Sequence, residues 1–202
     1  QKIMLVALPL LALYQTTCLP GTFGLCEYLG MRLVLGRVDM LSALFLQVFT
    51  IMALIGAVYS LQVKESLQHS ASFLYVGGSL GVTLSGDYVS LFVFWELMAL
   101  ASTFLIWFRR TRQSTDAGFR YLLVHIAGGL SLLCGIVLKY SATRDLSFVQ
   151  IPLTGAGLPD YLIMAGFMLN AAVPPLHAWL SDAYPEATVT GAVFLCAFTT
   201  KT

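Results

Sequence analysis

A polytopic bundle of transmembrane α-helices is the fold class this sequence predicts, and three observations carry it. Of the 202 residues, 58% are hydrophobic and only 10% are charged, against roughly 25% charged in a typical soluble domain. The apolar residues gather in runs of a length suited to crossing a hydrocarbon core, which takes about 20 residues per helix. The period-2 alternation of a membrane β-barrel is absent, and the runs are too long for its strands. A water-soluble globule of this composition would expose large apolar patches and aggregate. A soluble enzyme domain and a disordered chain are therefore excluded. Lys+Arg 11 against Asp+Glu 10 leaves a net charge of +1. That balance offers no basic field for nucleic acid, so the lipid bilayer is the expected surrounding.

The runs follow in order. The first, about 3–19, is entered at Lys2 and closed by Pro20-Gly21. A loop holding Glu27, Arg32 and Arg37 separates it from the second, about 38–61, which ends at Lys64-Glu65. The third, about 70–86, is shorter and rich in Gly. The fourth, about 88–108, carries one acid, Glu96, and stops at the basic stretch Arg109-Arg110-Thr111-Arg112. The fifth, about 117–140, contains His125. A loop rich in Pro, Gly and Thr, 141–157, leads to the sixth, about 158–180, which holds Pro174-Pro175. A seventh opens near 187. Gln1 is not a start residue, and the last residues remain in an apolar run. Both ends read as cuts in a longer protein. Residues 1–202 are expected to form one membrane domain of about six full spans and a truncated seventh.

Lys and Arg placement sets the orientation. By alternation one face receives Lys2, Lys64, Arg109, Arg110, Arg112 and Arg120, and the other Arg32, Arg37, Lys139 and Arg144. The loops 62–69 and 109–116 are placed on the cytoplasmic side. Small residues at Gly77, Gly81 and Ser85, and at Gly118, Gly128 and Gly129, mark faces where helices approach closely in lipid. Cys18, Cys26, Cys134 and Cys196 show no metal or disulfide spacing and read as small apolar residues.

Chemistry must come from the few polar groups inside these runs. Glu96 sits near the middle of the fourth, where a carboxylate costs at least about 2.5–3.5 kcal/mol on insertion scales. It needs a partner, a water-filled cavity or a change of protonation, and Thr103 shares its face. His125 titrates in the physiological range and serves either as a proton relay or as a packed histidine. Pro174 and Pro175 lack backbone donors, which breaks the sixth helix and frees carbonyls at Asn170 and Ala171. Such breaks at membrane depth recur at ion sites of transporters, and Asn170 and His177 flank this one. Lys201 lies about 14 residues into the seventh run, near 20 Å of helix at about 1.5 Å per residue. That places it inside the bilayer. No GxGxxG, iron–sulfur cysteine cluster or haem-spaced histidine pair is present, so neither cofactor nor metal is expected. Any redox catalysis would belong to partner proteins in the same complex.

The string Pro175-Leu176-His177-Ala178-Trp179-Leu180-Ser181-Asp182-Ala183 resembles the PLHxWLPDA signature of the proton-conducting, antiporter-like membrane subunits. These occur in respiratory complex I (chains L, M and N), in Mrp-type cation/proton antiporters (their D component among them) and in membrane-bound hydrogenases. Trp95-Glu96-Leu97-Met98 is similar to that family's WELM segment. Val38-Asp39-Met40-Leu41-Ser42 resembles its VDGLS entry to a helix, and Thr200-Lys201-Thr202 its KT. The resemblance implies the first half of an inverted-repeat transporter fold, with Glu96 as the essential glutamate, Lys201 as the lysine that passes protons onward, and His177 as the signature histidine. Two positions depart from the pattern. The lysine five residues before the signature proline is Asn170, and the second signature proline is Ser181.

The resemblance leaves two functions open. In one, protons cross through Glu96, His125, water at the broken helix beside Asn170, and Lys201, with Na⁺ or K⁺ as candidate exchanged cations. In the other, the chain is a non-pumping scaffold or coupling element, because Asn170 cannot hold the lysine's charge. In both, the partners are other membrane subunits of a hetero-oligomeric complex, in a bacterial or archaeal cell membrane.

Overall fold

The computed structural model describes residues 2–18, 21–28, 30–148, 150–151 and 155–201. Pro20 of the first run's closing signal and Thr202 of the KT segment lie outside the described residues. The elements are α1 (Lys2–Thr16), β1 (Thr22–Tyr28), β2 (Met31–Arg37), α2 (Met40–Tyr59), α3 (Ser66–Leu84), α4 (Tyr88–Trp107), α5 (Arg112–Thr143), α6 (Leu158–Asn170), α7 (Ala178–Ala183) and α8 (Val189–Phe198). Neighbours in sequence pack as neighbours in space: α1 on α2, α3 on α4, α4 on α5, and α5 on α6. The end of α8 closes the core, with Phe198 packed on Phe49 and edge-on to Tyr75.

The surface is that of a membrane protein. Along α5, Leu123, Leu130 and Val137 are exposed, while His125, Gly128, Leu132 and Gly135 on the other side are buried. A seven-residue step is two helical turns, so the three exposed residues form one apolar stripe. Met40–Gln62, Tyr88–Trp107 and Arg112–Thr143 are long and apolar enough to cross a membrane. The 19-residue α3 is diluted by Ser, Gly, Gln and His, and α1, α6 and α8 have 15, 13 and 10 residues.

Two differences from the sequence reading have physical causes. The stretch 20–37, read as a loop, is an antiparallel hairpin pairing Thr22 with Arg37 and Tyr28 with Met31. That register leaves two residues for the turn, and Gly30 takes φ 74 there, a conformation glycine adopts without a Cβ clash. The break expected in the sixth run is present, and it spans residues 171–177 between α6 and α7. The close approach of α3 runs through Gly78 and Gly81, not Gly77. A methyl group at Gly78 would lie 3.0 Å from the Met98 backbone nitrogen, whereas Gly77 faces open space. Steps of four overshoot a 3.6-residue turn by about 40° each, so spacings of three and four hold one face.

The helices begin where sequence supplies caps. Asp39 accepts from the Ser42 amide at 2.7 Å while Ser42 Oγ accepts from the Asp39 amide at 2.7 Å, a reciprocal cap on α2. These Ser42 hydrogen bonds hold the Asp39 carboxyl below the usual carboxylate range. Thr111 and Ser114 cap α5 in the same way. Asp87 does more. Its buried carboxylate accepts from the Ser90 amide at 2.7 Å, the Ser90 hydroxyl at 2.9 Å and the Val34 amide of β2 at 2.6 Å. It therefore caps α4 and ties the hairpin to the bundle. Gly86 is needed beside it, because a methyl group there would meet the Val34 carbonyl oxygen at 2.8 Å.

Candidate functional site

The broken helix lies along α5 and is tied to it near both ends. Lys139 meets Asp160 of α6 at 3.1 Å, and Arg120 grips Asp182 of α7 with two bonds of 2.7 and 2.8 Å. From Arg120 to Lys139 is 19 residues, about 28 Å of helix at 1.5 Å per residue, close to the hydrocarbon thickness. The basic loop is paired on the Arg120 side too: Arg110 bonds Glu65, and Arg109 bonds the Pro185 carbonyl. Most of these pairs are exposed or half-exposed and fix position more than they stabilise.

Between the ties, small residues let α6 close on α5. A methyl group at Gly166 would meet the Gly128 carbonyl at 3.0 Å, and one at Gly135 would meet the Pro159 carbonyl at 2.8 Å. Helix α6 ends at Asn170. Ala172 takes φ 54, and the Pro174-Pro175 bond is cis. The helical pattern fails before the prolines: the Val173 amide reaches back to the Met168 carbonyl at 3.0 Å, and the Leu169 carbonyl accepts from the Trp179 indole at 3.1 Å.

Glu96 is half-buried midway along α4. Its carboxylate lies over Gly129 of α5, and a methyl group at Gly129 would collide with Oε1. Among the described residues it has neither a hydrogen bond nor an ion pair. The Thr103 hydroxyl, two turns further along α4, donates to the Ala99 carbonyl at 2.9 Å. Adjacent to Gly129 is a cavity with about 10 Å³ open to the centre of a water molecule. It is lined by Trp95, His125, Gly128, Gly129, Leu132, Gly166, Leu169 and Asn170. The His125 ring is packed between Tyr121 at 4.2 Å and Trp179 at 4.7 Å.

Asn170 is buried and donates its Nδ2 to the Thr199 carbonyl at 3.1 Å, and the Thr199 hydroxyl pairs with Tyr75 at 2.5 Å. Asn170 thus links the His125 cavity to the end of α8. Helix α8 ends at Phe198, and Lys201 is exposed in the following turn, its ammonium donating to Thr200 at 2.7 Å. It lines a second, larger cavity of about 460 Å³ with Arg37, Asp39, Ser42 and Phe167. Trp95 lines both cavities and packs on Phe167 at 5.1 Å. His177 is exposed at the N-terminal end of α7 and lines neither cavity. The structure therefore sets His125 and Asn170 in the wall of one cavity, Glu96 over Gly129 of that wall, and Lys201 in the wall of the other, with His177 lining neither. Asp87, Gly129 and Thr199 escaped the sequence reading as site residues. Only Asp87 had a local signal, an Asp three residues before a Ser at a helix start.

A helical membrane bundle interrupted by a broken helix is a recurring architecture among membrane transporters. The comparisons agree. The family described as NADH:quinone oxidoreductase/Mrp antiporter, TM, matches residues 85–202, and the chain belongs to it. A Na⁺/H⁺ antiporter subunit of Alkalihalophilus pseudofirmus is 34% identical over 167 residues, covering 75% of this chain and 21% of that one. An NADH-quinone oxidoreductase subunit of Deinococcus radiodurans is 29% identical over 174 residues, covering 81% and 34%. Among solved structures, the membrane-bound sulfane sulfur reductase, an archaeal respiratory membrane complex, matches with a TM-score of 0.82 at 25% identity, over 99% of this chain and 45% of its own. The chain spans about a fifth to a third of the length of these two curated relatives. It is an integral membrane protein of a family whose members are subunits of multisubunit membrane complexes.

Proposed function

We propose that this chain carries protons across a bacterial or archaeal cell membrane as one subunit of a larger complex, by way of Glu96, His125, Asn170 and Lys201. The observation that carries the reading is the Glu96 carboxylate, half-buried in a spanning helix without a hydrogen bond or ion pair among the described residues. A carboxylate held for structure alone would be hydrogen-bonded. One without fixed partners is free to gain and lose a proton. Two further features support the route. Gly129 lies both under Glu96 and in the wall of the His125–Asn170 cavity. Asn170 is bonded to Thr199, two residues from Lys201. The curated relatives include a Na⁺/H⁺ antiporter subunit, and Na⁺ or K⁺ is the candidate exchanged cation here.

Asn170 favours a second reading, in which the chain is a scaffold or coupling element. An amide holds no positive charge, and this one is fixed to Thr199 by a hydrogen bond. Proton uptake by vesicles containing the full complex separates the two. Glu96→Gln is expected to lower proton-coupled transport about a hundredfold, the scale of a lost acid–base group. An unchanged rate overturns the proton-carrying reading and leaves the scaffold.

A further inference from the structure

Resting on that reading, we infer that the cavity between α4, α5 and α6 is a binding site for a single water molecule, held by His125 Nε2 and Asn170 Oδ1. Both atoms are buried, and neither has a hydrogen-bond partner among the described residues. Both residues line the same cavity, together with Gly128, Gly129, Gly166 and three apolar side chains. An unpaired buried polar atom costs about 1–3 kcal/mol, and both atoms belong to residues that line this one cavity. The space open to a water centre is about 10 Å³, at the lower edge of what one water requires, which is also two to four polar partners.

The walls suit this occupant. The ring of His125 is fixed by Tyr121 and Trp179, and the Asn170 amide is fixed through Nδ2 to Thr199. Neither side chain is free to turn and pair elsewhere. Glycine at 128, 129 and 166 keeps the volume open, since any larger residue would project a Cβ toward Leu169, Glu96 or Leu132. The water so placed supplies the hydrogen-bonded link between His125 and Asn170 that their side chains do not make directly. It does this in a site where a lysine of the family pattern is replaced by an uncharged amide. Glu96 abuts the same wall through Gly129, so the site joins the acid to the end of α8.

The test is a density map of the full chain in its membrane complex, at a resolution that shows ordered water. One peak about 2.7–3.2 Å from both His125 Nε2 and Asn170 Oδ1 is expected. A dry cavity, or a direct His125–Asn170 contact, overturns the proposal. X-ray hydroxyl-radical labelling gives an independent readout, because a bound water is the radical source for an enclosed side chain. Gly128→Ala meets only the flexible Leu169 side chain, at 3.1 Å, and so preserves the fold. It is expected to cut His125 labelling about fivefold by filling the space a water needs, with exposed His177 unchanged; equal His125 labelling overturns the proposal. The map is read without any transport assay. A water peak in a complex that moves no protons therefore keeps this site and removes the proton-carrying reading, while a dry cavity in an active complex does the reverse.

Discussion

Asp87 and Glu96 are nine residues apart, at the start and the middle of α4, and they are held in opposite ways. Asp87 is 2% exposed and accepts three hydrogen bonds, from Ser90 twice and from Val34. Glu96 is half-buried and accepts none among the described residues. The glycines beside them differ in parallel. Gly86 keeps clear of the Val34 backbone, whereas Gly129 keeps clear of a movable carboxylate end. Burial alone therefore does not describe how these two acids are held. The supply of fixed donors does: where it is complete the carboxylate is a structural tie, and where it is missing the group has no fixed partner among the described residues.

That contrast is open to direct attack. The largest effect is expected from Asp87→Ala, which removes a helix cap and leaves the Val34 and Ser90 donors unpaired. About 3 kcal/mol of stability should be lost, measured by denaturation in detergent, with transport falling only as folded protein falls. Glu96→Gln should change stability in the same assay by no more than about 0.5 kcal/mol while lowering transport about a hundredfold. If Glu96→Gln proved as destabilising as Asp87→Ala, the distinction between the two acids would collapse.

The glycine pair sharpens the comparison at a smaller scale. Gly86→Ala forces backbone apart and should cost about 2 kcal/mol. Gly129→Ala displaces only the Glu96 carboxyl, so its effect should appear in the transport rate and hardly at all in stability. Measuring both quantities on both variants decides whether the wall under Glu96 is tuned for chemistry or for packing.

The smallest effect concerns an acid outside the membrane. Asp39 resembles Asp87 in being a cap, but it is more exposed. Hydrogen bonds from Ser42 lower its folded-state pKa below the unfolded value. A lowered pKa contributes stability above the unfolded pKa, near 3.9, and loses it as pH falls through the folded value. Asp39→Ala should therefore cost about 1 kcal/mol at neutral pH, and the difference from the parent chain should shrink below about pH 4. A gap that persists at pH 3 would show that the cap works without its charge.

Particular residues show how much was legible in advance. The runs containing α2, α4 and α5 were visible because each is apolar over about 20 residues or more, and their starts at Asp39 and Thr111 carry side-chain caps. The break near Pro174-Pro175 was visible because proline lacks a backbone donor. The hairpin at 22–37 was not. Its strands are largely exposed and present no clean alternation, and their anchor, Asp87, lies fifty-three residues beyond Val34. Nor did spacing reveal that Asn170 meets the Thr199 carbonyl of another helix.

The sequence by itself determined the membrane as solvent, the helical runs, and the presence of an acid, a histidine and an amide where charge and polarity are costly, because composition and run length follow from local chemistry. The tertiary structure decided which of these meet. Glu96, His125 and Asn170 come from three helices; the packing of Gly128, Gly129 and Gly166 sets His125 and Asn170 on one small cavity and Glu96 against its Gly129 wall. His177, on the far side of the break from Asn170, is left outside it. Long-range contacts between helix faces carry no mark in the order of residues along the chain, and that is why the site became visible only when the bundle was assembled.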